Sequence, residues 1–238
     1  LKDLYIPLLW ELAFVISLIL MPRNTYELEL YFVFYLGLLV YFYYFHKQFS
    51  FRKFFRNIKR IRKFWLIVLL SIAGMLLADY IKDTAVPQLF TQASMVLRSN
   101  FKDNALATSI AKGMTRALIH TGTYSFRYDN EIYGSLFTFF VMVIMKPVAE
   151  ELFFRKGIIK YGSKKQVFLF SVISLFLCAL TRAYAPLGIF EYMLMALPVT
   201  IAYVATRNIY VPIMAHVIFE FIDNISTVIY ELARIHFR

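Results

Sequence analysis

Apolar runs approaching membrane-spanning length recur along the whole chain, about residues 5–21, 30–45, 64–78, 135–155, 167–180, 187–204 and 211–230. A soluble domain of 238 residues in which 60% are hydrophobic and 18% aromatic could not hide that much apolar surface. The pattern predicts an all-α fold: a polytopic transmembrane helical bundle of about seven spans. Pro22, Arg23 and Asn24 end the first run, and a helix is expected to continue through Pro147 with a kink.

Charge fixes the orientation. The net charge is +11, and residues 46–64 hold eight of the 26 Lys and Arg. Basic residues massed between two apolar runs mark a cytoplasmic loop. Phe51, Phe54, Phe55, Ile58 and Ile61 recur there at helical spacing, which suits a helix lying on an anionic leaflet. Membrane lipids are therefore the expected partner of this patch, and nucleic acid is not. Residues 79–133 read as a long polar connection, helical only locally, as over 105–120. The single Cys178 lies inside an apolar run and forms no internal disulfide.

Ionisable side chains inside apolar helices are costly, so each needs a partner or a purpose. Glu150, Glu151, Arg155, Arg182, His216 and Glu220 stand out. Glu151 and Arg155 are four apart, acid first, and share a helix face. Glu150 is rotated about 100° away. One reading makes Glu151–Arg155 a structural ion pair and leaves Glu150 facing a cavity as a general base on water. The competing reading has both acids interfacial and solvated. His216 and Glu220, also four apart, can orient each other and hold a water or a metal. Asp223 and Asn224 are expected nearer the other face. A zinc site would need Glu150, His216 and Glu220 to converge. There is no H-E-x-x-H, no cysteine cluster and no G-x-S-x-G.

Glu150-Glu151-Leu152-Phe153-Phe154-Arg155 resembles the E-E-x-x-x-R motif of the CPBP family of intramembrane proteases, which includes type II CAAX prenyl endopeptidases and bacterial Abi proteins. Val211-Pro212-Ile213-Met214-Ala215-His216 reads P-I-x-x-H and is similar to the stretch leading into that family's last motif. The resemblance covers about residues 134–230. It implies a core over 134–238, preceded over 1–133 by amino-terminal spans, the basic loop and the polar connection, all in one membrane domain. It also implies an integral protein, expected in a bacterial plasma membrane, that handles a membrane-associated peptide or protein.

In the family the first Glu is taken to activate water, while two His and an Asn bind or polarise the substrate carbonyl. Carried over, Glu150 matches the activating acid, Glu151 its neighbour and His216 the retained His. Two motifs depart. Arg182 stands where the middle-motif His is expected and Cys178 where its Phe is, and Glu220 stands where the last motif has Asn or Asp. Arg stays cationic and cannot accept a proton, so an ion pair of Arg182 with Glu150 or Glu220 is expected. Three functions follow: a glutamate-dependent endopeptidase, a catalytically silent scaffold, or a transporter or lipid-handling protein.

Overall fold

A computed structural model describes residues 4–20, 27–47, 49–61, 63–101, 104–119 and 132–236. Among these the chain is all-helical. The break expected at Pro22–Asn24 and His120 lie outside the described residues. The helices are α1 (Tyr5–Leu20), α2 (Glu27–Leu39), α3 (Phe51–Arg60), α4 (Phe64–Tyr80), α5 (Val86–Asn100), α6 (Ala105–Ile119), α7 (Ile132–Phe139), α8 (Lys146–Glu150), α9 (Lys164–Leu180), α10 (Pro186–Thr206) and α11 (Tyr210–His236). Wider π-helical turns extend or join some of them: Val40–Phe45 after α2, Ile81–Ala85 between α4 and α5, Phe140–Met145 between α7 and α8, and Glu151–Ile158 after α8.

The molecule is arranged for lipid, with apolar side chains outside and charges inside. Leu70 is 64% and Phe168 72% exposed, whereas Lys146, Glu150, Glu151, Arg155, His216 and Glu220 are buried. Three helical stretches are long and apolar enough to cross a membrane: Leu28–Phe45, Phe64–Asn100 and Pro186–Thr206. Tyr5–Leu20 is a shorter apolar helix. The chain is an integral membrane protein.

The third apolar run does not stop at residue 78. Its helix continues for 37 residues to Asn100, about 55 Å at 1.5 Å per residue, well beyond a hydrocarbon core of about 30 Å. The wide turn at Ile81–Ala85 sits just before Pro87, whose ring would clash with the Asp83 carbonyl of a regular helix and whose missing N–H leaves that carbonyl without a donor. α5 then packs along α6, so the polar connection is much more helical than its sequence suggests.

Close contacts fix the bundle. Gly74 of α4 lies against Pro198 of α10, where an added Cβ would sit 3.0 Å from the proline ring carbons. Along α2 and the turn after it, Tyr31, Phe34, Tyr35, Leu38 and Phe42 form one buried stripe at helical spacing. Phe14 of α1 stacks on Phe34 at 4.0 Å between ring centroids. The helix predicted in the basic loop is α3. Much of its apolar face turns to the bundle rather than to lipid: the Phe54 ring packs on Tyr210, and Ile58 packs beside the α4–α10–α11 core. Phe55 stays exposed.

The basic loop and the start of α11 therefore share one end of the bundle. The Tyr210 hydroxyl donates to the Ser50 carbonyl at 3.2 Å. The turn between Ile158 and α9 and the turn after α10 reach the same end. Lys156, Lys160, Lys164, Lys165 and Arg207 join the described basic residues of 46–64 there, and neither stretch 46–64 nor stretch 156–165 contains an acid.

Candidate functional site

The helix from Ile132 to Ile158 supplies Lys146, Glu150, Glu151 and Arg155, continuing through Pro147 as expected. The preceding π-helical turns absorb the proline's missing donor. α11 brings His216 and Glu220 on one face, α9 ends just before Arg182, and α2 contributes Tyr35. His216 lies six residues past Tyr210, about 9 Å in from the basic end at helical rise. The solvated reading of the two acids is thereby overturned: Glu150 and Glu151 have no exposed surface.

Glu150 is engaged at both oxygens. The Tyr35 hydroxyl donates to Oε1 at 3.0 Å, and Arg182 Nη2 donates to Oε2 at 2.6 Å. Of the two expected partners for Arg182, Glu150 is the one it takes. The guanidinium also lies over the Tyr192 ring, 5.5 Å from its centroid. His216 stands between two other carboxylates: Nδ1 is 2.9 Å from Glu151 Oε1, and Nε2 is 3.3 Å from Glu220 Oε1. Carboxylates only accept hydrogen bonds, so a neutral imidazole satisfies one of these contacts and a protonated one satisfies both.

Glu151 and Arg155 do pair, with Oε2 and Nε 3.3 Å apart, but the two atoms are not aligned as a hydrogen bond. The attraction is coulombic. The other Arg155 nitrogens donate to Cys178 Sγ at 3.6 Å and to the Ala196 carbonyl at 3.3 Å. The division of labour read from spacing is therefore revised. Glu151 braces Arg155 and also holds His216, while Glu150 is clamped.

Sequence reasoning missed Lys146 and Tyr35. Lys146 Nζ donates to Glu220 Oε1 at 2.7 Å with both side chains buried. The charge of Glu220 is thus balanced by Lys146 and not by Arg182. Asn224, expected on the other face, donates to Glu220 at its carbonyl (2.8 Å) and at Oε2 (3.3 Å). Lys146 was detectable as a lysine inside an apolar run, four residues before Glu150. No local signal marks Tyr35, which is 115 residues from its partner.

Arg182, His216 and Glu220 line a narrow cavity with about 10 Å³ open to a water-sized centre, roughly the room for one water. Glu150 is not among its lining residues, because the Arg182 guanidinium occupies its outward oxygen. Among the described residues no group of three or more His, Cys, Asp or Glu is arranged to hold a metal ion. Two of the three residues a zinc set would need, Glu150 and Glu220, face Arg182 and Lys146 instead.

Residues 132–222 match the family model described as type II CAAX prenyl endopeptidase Rce1-like. This match is consistent with the CPBP family. No curated protein and no solved structure matches the chain. The Rce1-like segment contains Lys146, Glu150, Glu151, Arg155, Arg182, His216 and Glu220, while Tyr35 comes from the chain before it.

Proposed function

We propose that this Rce1-like membrane protein is a catalytically silent relative that holds a membrane-associated peptide or protein partner, in a bundle of about seven spans in a bacterial plasma membrane. The observation that carries this reading is the Glu150–Arg182 pair. A general base must offer a lone pair to the water it activates. Here a permanent cation sits 2.6 Å from Glu150 Oε2, and Tyr35 takes Oε1. The wider charge count agrees. Three buried carboxylates (Glu150, Glu151, Glu220) face three basic side chains (Arg182, Arg155, Lys146). Such a network stabilises one packing arrangement and leaves little drive to bind a water as nucleophile.

The endopeptidase reading is favoured by a different observation. Arg182 and His216 line a water-sized cavity, where a cationic fork and an imidazole could stabilise a developing oxyanion. Surveying new protein amino termini in membranes of the native host separates the two. Cells with the chain, without it, and with Glu150→Gln should show the same set of termini, while a stoichiometric partner copurifies with the wild type in mild detergent. A terminus present with the wild type and lost in both other strains would overturn the silent reading.

A further inference from the structure

Between α9 and α10 a groove of about 610 Å³ opens on the outside of the bundle. Its walls are Val167, Phe168 and Val172 on one side and Leu197, Ile201 and Val204 on the other. The hydroxyls that reach it are already used: Ser171 donates to the Val167 carbonyl and Thr200 to the Ala196 carbonyl. The walls are therefore apolar in effect for about 12 Å of helix from Val167 to Leu175.

The groove's mouth, at the basic end, is different in kind. Lys164 and Arg207 line it together with Tyr161 and Gly162. No carboxylate among the described residues pairs with either cation. Arg207 is held in place, its guanidinium 4.9 Å from the Tyr161 ring centroid, while the Tyr161 hydroxyl donates to the Tyr203 carbonyl at 2.9 Å. Arg207 also ends α10 in the left-handed backbone region, at φ 52°. Glycine adopts that conformation at no steric cost and is the usual residue there. A long cationic side chain kept at a strained position points to a use for the side chain.

We infer that this groove binds an anionic phospholipid, with an acyl chain between α9 and α10 and the phosphate between Lys164 and Arg207. At the basic end of the bundle an apolar slot meets two cations that no described carboxylate pairs, and that charge complementarity selects an anionic lipid over a zwitterionic one. The site lies on the outer face of the two helices, away from Glu150, so it does not depend on whether the buried site hydrolyses peptides.

The test is native mass spectrometry of the full chain in detergent with phosphatidylglycerol and phosphatidylcholine of identical acyl chains. The wild type should prefer phosphatidylglycerol, by roughly fivefold or more per basic side chain engaged. Arg207→Gly relieves the left-handed backbone, so it should fold at least as well as wild type. Combined with Lys164→Gln it should abolish the preference. Arg52→Gln with Lys53→Gln, which removes two cations elsewhere on the same end, should leave the preference intact. Val172→Trp, which fills the slot and keeps both charges, should lower occupancy, and excess inorganic phosphate should not displace the lipid. Equal occupancy by the two lipids, a preference that survives Lys164→Gln/Arg207→Gly, equal loss in the Arg52/Lys53 variant, undiminished occupancy in Val172→Trp, or displacement by phosphate would each overturn the assignment.

Discussion

Every buried acid of the site has a cation within 3.3 Å, and the pairings differ in what their loss would do. Removing one partner of a buried ion pair leaves an uncompensated charge, at a cost of about 3–5 kcal/mol, whereas replacing both with apolar groups of similar volume is often close to neutral. Lys146→Met should therefore destabilise the protein by roughly that amount, and Lys146→Met with Glu220→Leu should recover most of it. Thermal unfolding in detergent measures both. Arg182→His bears on the chemistry instead. It removes the permanent cation from Glu150 and places an imidazole where the family carries one. With Glu220→Asn, it should raise peptide hydrolysis in reconstituted vesicles above the wild-type background. Hydrolysis by the wild type already equal to that of the double variant would count against the clamp.

At the scale of elements, the approach of α4 to α10 rests on the missing side chain at Gly74. The Pro198 ring sits on a helix and has little room to move. Gly74→Ala should lower stability by about 1–3 kcal/mol through overpacking, seen as a lower Tm without a change of helix content. At the start of α9, Ser163 Oγ accepts from the Gln166 N–H and Gln166 Oε1 accepts from the Ser163 N–H. Ser163→Ala should cost about 1 kcal/mol. Gly162 belongs to this cap, since a Cβ there would collide with Gln166 Oε1. Much of the element layout was legible from hydropathy, because an apolar run with no breaker has few alternatives to a helix in lipid. The continuation of α4 into α5 was not. Polar residues such as Lys82 and Asp83 read as the end of a membrane run, although nothing in them stops a helix. The motif residues were legible from spacing, but their partners were not. His216 meets Glu151 across 65 residues and Lys146 meets Glu220 across 74, and only the packed bundle decides those contacts.

For the whole molecule, the decisive asymmetry is that half of the 26 Lys and Arg lie in 46–64, 156–165 and at Arg207, stretches whose described residues share one end. That end should face the cytoplasm. With Cys178→Ala removing the only thiol, an impermeant maleimide added to intact cells should label Asp83→Cys and spare Lys160→Cys. The reverse pattern would invert the topology. With that topology His216 would lie about one-third of the way into a hydrocarbon core of about 30 Å from the cytoplasmic side, beside a cleft too narrow for more than about one water. The central claim is that Glu150 serves the packing of this bundle and not the activation of water. Complementation of a deletion strain by Glu150→Gln/Arg182→Gln, a double variant that removes the pair without leaving an unpaired charge, tests it most directly. Full complementation at wild-type abundance is the expected result, and loss of the phenotype at normal abundance would contradict the claim.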